Sequence, residues 1–161
     1  MKVKVKVPAT SANLGPGFDV AGLALTLYNT FTFELNEGGL NITGCPTQFC
    51  NEENLTYQAF SQAAQSCGLD FKGVNIHCES QVPYTRGLGS SSTCIVAGIV
   101  GAFAFKDKTD DRQEILELAT KIEGHPDNVA PAIFGGLTVS VMEEEQVLTC
   151  LLYTSPSPRD T

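Results

Sequence analysis

The chain has 161 residues, 42% of them hydrophobic, which is enough to form one domain with a sizeable core. Ten basic and eighteen acidic residues give a net charge of −8, which disfavours nucleic acid and anionic membranes as partners. The first residues lack the apolar core of a signal peptide. We therefore expect a cytoplasmic protein in which most of the six cysteines are buried thiols.

The first part of the chain is predicted to form three strands and a helix. Lysine and valine alternate over residues 2–7, which is typical of a half-buried strand, and Pro8 is expected to end it. A long strand is predicted over residues 23–35 and a short partner strand over residues 40–44. The apolar spacing then changes to that of an amphipathic helix over residues 54–67.

The second part mixes strands and helices. A strand is predicted near residues 74–78, followed by a helix that is apolar on most sides over residues 95–104. Further helices are expected over residues 112–123 and from residue 129, and a strand over residues 137–141. Because these elements do not form a regular βαβ repeat, the pattern predicts an α+β fold. The helix over residues 112–123 has an apolar face made by Ile115, Leu118, Ala119 and Ile122.

The last eleven residues differ in character from the rest. Residues 151–161 contain two prolines and show no periodicity, so we expect them to be disordered. We hypothesise that this tail is not native sequence. Residues 1–150 are then expected to form the single domain.

Residues 82–93 carry the most informative string, Val-Pro-Tyr-Thr-Arg-Gly-Leu-Gly-Ser-Ser-Ser-Thr. Gly87 and Gly89 allow the backbone to approach a ligand closely. The serines that follow open a helix, whose first N–H groups have no partner within the helix and favour an anion. The string therefore predicts a phosphate-binding loop. The alternative is a glycine-rich turn with a serine N-cap.

Three separated stretches resemble the GHMP kinases. The phosphate-binding loop resembles the signature Pro-x(3)-Gly-Leu-Gly-Ser-Ser-Ser of the whole family. Residues 8–19, Pro-Ala-Thr-Ser-Ala-Asn-Leu-Gly-Pro-Gly-Phe-Asp, and residues 123–128, Glu-Gly-His-Pro-Asp-Asn, resemble its homoserine kinase branch. The resemblance implies a ribosomal S5 domain 2-like amino-terminal domain, with helices packed on a mixed sheet.

The resemblance also implies an activity. Homoserine kinases transfer the γ-phosphate of ATP to the hydroxyl of L-homoserine in threonine biosynthesis, with Mg²⁺. The metal would be held by Ser90 and Glu117. ATP would be held by Asn54 on the adenine side and, around the phosphates, by Pro83, Tyr84, Thr85, Arg86, Gly87, Leu88, Gly89, Ser90, Ser91, Ser92 and Thr93.

Glu117 has a second interpretation. The helical period places it opposite the apolar face, with Lys121 at the spacing of a surface ion pair, which favours a solvated carboxylate. The resemblance favours a metal ligand instead. Glu123 is a second candidate for that role.

Four residues match positions that contact homoserine in the family: Asn13, Asp19, His125 and Asn128. Each also has an ordinary structural interpretation, since asparagine and aspartate are common in turns and caps, and histidine is a common hydrogen-bonding residue. Asn54, which opens the first helix, is likewise a plain N-cap in its alternative interpretation.

Asn128 and Asp127 are the catalytic candidates. Galactokinase and mevalonate kinase have an aspartate where Asn128 stands, and an amide cannot take a proton at neutral pH. We therefore predict that no dedicated base acts, and that the acceptor hydroxyl is aligned by hydrogen bonds. Asp127 is the neighbouring carboxylate, and base catalysis by Asp127 would contradict this prediction.

Members of the family are longer and carry a second, ferredoxin-like half whose arginines grip the homoserine carboxylate. We expect this chain to lack that domain, and hence to be an amino-terminal fragment of impaired activity from a protein that forms a homodimer. Two alternatives stay open. One is another GHMP kinase, acting on mevalonate or diphosphocytidyl-methylerythritol, and the other is a non-catalytic ATP-binding module.

Overall fold

A computed structural model describes residues 1–12, 21–83, 87–144 and 146–153. These ranges contain six strands and four helices, which confirms the α+β prediction. In chain order they are β1 (Lys2–Ser11), β2 (Ala21–Asn36), β3 (Leu40–Thr43), α1 (Leu55–Cys67), β4 (Gly73–Ser80), α2 (Ser90–Ala104), α3 (Arg112–Glu123), α4 (Val129–Phe134), β5 (Leu137–Glu143) and β6 (Gln146–Tyr153).

The mixed sheet is built around β2, which is antiparallel to β1, β4 and β5. Its strand order is β3-β4-β2-β5-β6, with β1 paired to β2 beside that path. The short strand predicted after β2 is present as β3, but its partner is β4, in parallel. A parallel pair needs a long crossover, which α1 provides.

The prediction that Pro8 ends the first strand is wrong. β1 continues to Ser11, with a shift of register between Pro8 and Thr10. Proline is tolerated at such an irregularity because its missing N–H is not needed there. The extension matters because it carries Thr10 towards the phosphate-binding loop.

The expected start of the tail at residue 151 is too early. β6 runs on to Tyr153 and pairs with β5 along its length, from Gln146 opposite Glu143 to Tyr153 opposite Leu137. The backbone pairing of β6 therefore outweighs the loss of apolar periodicity at its end. Residues 154–161 lie outside the described residues, so the hypothesis of a non-native tail stays a prediction.

The core lies between the sheet and the helices, with α2 packed against α1, α3, α4 and β1. Phe33 of β2 stacks on Phe60 of α1, with ring centroids 5.4 Å apart. The prediction that α2 is a buried core helix is confirmed by Ile95, Ile99 and Phe103, which are at most 2% exposed. Among the helices of the described residues, none is long and apolar enough to cross a bilayer.

Two expectations about burial are wrong. On α3 the fully buried positions include Leu116, whereas Leu118 and Ile122 are only partly buried. All six cysteines carry free thiols, but Cys67 alone among them is fully buried and Cys150 is exposed. The other four are half-buried and, with one exception, line the cavity discussed below.

Candidate active site

The phosphate-binding loop ends in a helix start that is open to a ligand. Gly89 is the N-cap of α2 and has a left-handed backbone, with φ of 67° and ψ of 35°. No side chain of the described residues caps this end, so the serine-cap alternative is not what the structure shows. The first backbone N–H to bond back is that of Thr93, which donates to the Gly89 carbonyl. The N–H groups before it therefore remain for an anion.

Asn29 holds both ends of this loop, and the sequence analysis did not identify it. Its Oδ1 accepts hydrogen bonds from the backbone N–H groups of Gln81 and Val82, each at 2.9 Å. Its Nδ2 donates to Thr93 Oγ1 at 3.0 Å, and that hydroxyl donates onward to the Ser90 carbonyl at 2.6 Å. Asn29 is 2% exposed. An amide in the middle of the predicted strand was the available signal.

Thr10 connects the three stretches that carry the family resemblance. Its backbone N–H donates to the Leu88 carbonyl at 3.0 Å. Its hydroxyl donates to Asn128 Oδ1 at 2.9 Å. The end of β1, the phosphate-binding loop and the turn before α4 therefore meet at one residue.

The turn before α4 holds the predicted acceptor-side residues. Asp127 is 5% exposed, contacts His125 Nδ1 and accepts the backbone N–H of Asn128 at 3.0 Å. The turn lies tightly on β2, since a Cβ on Gly22 would come within 1.9 Å of the Asp127 carbonyl oxygen. Asp127 thus fixes the backbone of Asn128 and the ring of His125, while His125 itself stays exposed.

The two candidate metal ligands have different surroundings. Glu117 accepts a hydrogen bond from Gln113 at 3.0 Å, and within the described residues it forms no ion pair with Lys121. Glu123 lies near the loop. Burial raises the pKa of its carboxyl and the charge of Asp127 adds to the rise, whereas His125 and hydrogen bonding by Ser91 lower the pKa. The contacts therefore favour Glu123 as the carboxylate beside the loop, and the assignment of Glu117 to a metal stays a prediction.

A cavity of about 280 Å³ opens beside the start of α2. Asn54 lies in its wall and also caps α1, because its Oδ1 accepts from the N–H groups of Thr56 and Tyr57. The structural interpretation of Asn54 is therefore correct, and it does not exclude a ligand contact. The lining residues are Phe31, Ile42, Cys45, Phe49, Glu53, Asn54, Leu55, Thr56, Ile76, Cys78, Ser90, Ser91 and Cys94.

Three thiols in this wall are uncharged at neutral pH. Burial raises the pKa of Cys45 to about 11 and that of Cys78 to about 12, and it also raises the pKa of Cys94. Five of the ten other lining side chains are apolar, namely Phe31, Ile42, Phe49, Leu55 and Ile76. Glu53 is the one charged side chain among the described residues of the wall. A cavity with few charges beside open helix N–H groups has the properties of a pocket for a flat organic base.

Some of the remaining predicted site residues lie in or beside the loop, and others lie outside the described residues. Pro83 and Gly87 are exposed. Ser90, Ser92 and Thr93 are buried at the start of α2. Asn13, Asp19, Tyr84, Thr85 and Arg86 lie outside the described residues, so their roles stay predictions.

The fold and the site together define an α+β domain with a phosphate-binding loop at a helix start. The sequence family of the GHMP kinase N-terminal domain matches residues 54–136, about half of the chain. The chain therefore belongs to the GHMP kinases.

Individual relatives point the same way. The homoserine kinase of Clostridium beijerinckii is 51% identical over 145 residues, which are 89% of this chain and 49% of that protein. A Listeria monocytogenes structure, 34% identical, superposes with a TM-score of 0.83 over 97% of this chain and 55% of its own. The homoserine kinase structure from Cytophaga hutchinsonii is 27% identical and has a TM-score of 0.79. The match covers 94% of this chain and 51% of that one. The chain spans about half the length of the curated relatives it matches.

We predict that Asn29→Ala weakens binding of MgATP, measured by calorimetry, because the loop loses its attachment at both ends. Unfolding should also become easier by about 2 kcal/mol, since buried N–H groups lose their acceptor. Asn36→Ala is the matched control: Asn36 stands on the same strand, donates to Asn75 Oδ1 and accepts from Gly38 and Gly39. Equal loss of affinity in both variants would contradict a specific role for Asn29.

We predict that Glu123→Gln raises the melting temperature at pH 7 more than at pH 4. The pKa of Glu123 is raised from its ordinary value of 4.5, so the folded state prefers the protonated carboxyl. Wild-type stability therefore falls as pH rises through the raised pKa, and the glutamine variant lacks this loss. Glu52→Gln, at an exposed position, serves as control. A gain in melting temperature that is the same at both pH values would contradict the raised pKa of Glu123.

Proposed function

We propose that the chain is the ATP-binding half of a homoserine kinase, which transfers the γ-phosphate of ATP to the hydroxyl of L-homoserine and forms O-phospho-L-homoserine. The observation that carries the proposal is the meeting of three stretches at Thr10, where the phosphate-binding loop reaches Asn128. The name of the 51% identical relative supports the choice of acceptor.

The phosphates would bind at the start of α2. The N–H groups after Gly89 donate to phosphate oxygens, and the dipole of a 15-residue helix favours the negative charge. Ser90 and Glu117 would hold the Mg²⁺, with Glu123 as the second candidate, since this ion commonly takes one or two carboxylates together with phosphate oxygens. Bound MgATP supplies the phosphoryl group and neutralises the charge that develops in transfer.

The adenine would occupy the cavity beside the loop. Its neutral thiols and apolar side chains offer contact without charge, and Asn54 stands at its wall. The volume of about 280 Å³ is near the lower end for small-molecule pockets. This accounts for the proposed adenine-side role of Asn54 while it also caps α1.

The acceptor would lie near Asn128 and His125, with Asn13 and Asp19 proposed as further contacts. Asp127 is occupied by His125 and by the Asn128 N–H, so its role is to position both residues. The hydroxyl is then aligned by hydrogen bonds and loses its proton late, to a phosphate oxygen. A cytoplasmic location and a homodimer of the longer protein stay predictions.

The test is homoserine-dependent release of ADP from MgATP. We would compare the 161-residue chain with a chain extended by the second half of the Clostridium beijerinckii relative, and use mevalonate as the control acceptor. We expect the extended chain to release ADP with homoserine but not with mevalonate. The 161-residue chain should release less ADP with homoserine. Preference for mevalonate would favour another GHMP kinase. ATP binding without release in either chain would favour a non-catalytic module.

We predict that Asp127→Asn in the extended chain lowers kcat by about tenfold or less, because a positioning residue is lost and general-base catalysis is not. Steady-state kinetics with homoserine measures this, with Asp110→Asn at an exposed position as control. A fall of about a thousandfold with unchanged KM for homoserine would show that Asp127 is a base.

A further inference from the structure

The Thr10 hydroxyl has a defined hydrogen-bonding role. Thr10 is 0% exposed, and its hydroxyl carries one proton, which goes to Asn128 Oδ1 at 2.9 Å. A buried donor without an acceptor is costly, so this bond is strongly preferred over a rotated hydroxyl. The two residues are 118 positions apart in sequence, so the bond is a product of the fold.

The position of this hydroxyl is fixed from several sides. The backbone of Thr10 pairs with Ala24 in the sheet and donates to the Leu88 carbonyl. A Cβ on Gly89 would lie 2.2 Å from Thr10 Oγ1, so the hydroxyl fills the space that the glycine leaves. Threonine is also stiff about χ1 because it is branched at Cβ.

The bond from Thr10 determines which end of the Asn128 amide is available. A side-chain amide has one oxygen acceptor and one NH₂ donor. Because Thr10 occupies the oxygen, the NH₂ group remains, and in the part of the chain that the structure describes it donates to no protein oxygen. The backbone of Asn128 is held separately by Asp127.

We infer that Thr10 is a positioning residue, which holds the Asn128 amide so that its NH₂ group donates to the oxygen of the acceptor hydroxyl. The inference rests on the proposed function. One lone pair of the hydroxyl oxygen accepts this bond and the other forms the new bond to phosphorus. The bond from phosphorus to the bridging oxygen breaks, its electron pair stays on ADP, and the hydroxyl proton passes to a phosphate oxygen.

Two variants of Thr10 separate the effect of its hydroxyl from the effect of its side-chain shape. Thr10→Val keeps the branched shape and loses the donor, whereas Thr10→Ser keeps the donor. The first measurement is the ¹⁵N-detected side-chain amide signal of Asn128 in the 161-residue chain, assigned by its absence in Asn128→Ala. We expect the signal to move in Thr10→Val and to stay near its wild-type position in Thr10→Ser. Thr10→Ala replaces Thr10→Val if the valine variant does not fold.

The second measurement is homoserine-dependent turnover of the extended chain. Thr10→Val should lower kcat about tenfold, the effect of one neutral hydrogen bond, with the KM for ATP unchanged, and Thr10→Ser should restore most of it. An unmoved Asn128 signal in Thr10→Val, or a serine variant as impaired as the valine variant, would overturn the inference. If the wild-type extended chain shows no turnover, the proposed function fails, and the amide signal alone decides the role of Thr10.

Discussion

The left-handed backbone of Gly89 is the constraint on which the rest of the site depends. It turns the loop into α2 without a capping side chain and leaves the first N–H groups of the helix open. A Cβ at this position would collide with Thr10 Oγ1 at 2.2 Å. The same close approach lets Thr10 reach both the Leu88 carbonyl and Asn128. The start of α2 and the turn before α4 are thereby connected through one buried junction.

Electrostatics limits how an acidic chain could bind the proposed polyanion. The net charge of −8 opposes phosphate binding at long range, so attraction must come from oriented backbone groups and from a cation. Burial keeps the thiols of the cavity neutral and makes the Glu123 carboxylate costly to charge. A divalent cation beside Glu123 would offset that cost. The proposed site would therefore bind the metal complex of a nucleotide in preference to the free anion.

The sequence predicted the helices well because their signals are local. Apolar periodicity and the glycines that follow α1 and α3 place those helices correctly. Strand partners are not local, so the parallel pairing of β3 with β4 could not be read from alternation. The extension of β1 past Pro8 depends on a register shift, and the end of β6 depends on pairing with β5. Asn29 and Thr10 were missed because their partners lie 64 and 118 residues away.

The start of α2 and the adjacent cavity are proposed to form one nucleotide site. The most direct test is to titrate the ¹⁵N-labelled chain with Mg²⁺ and a non-hydrolysable ATP analogue and to monitor the backbone amide signals. We expect the largest changes at Gly89, Ser90 and Ser91, together with Asn54 across the cavity. Changes confined to another surface, such as the groove beside Lys4 and Arg112, with the loop signals unmoved, would contradict it.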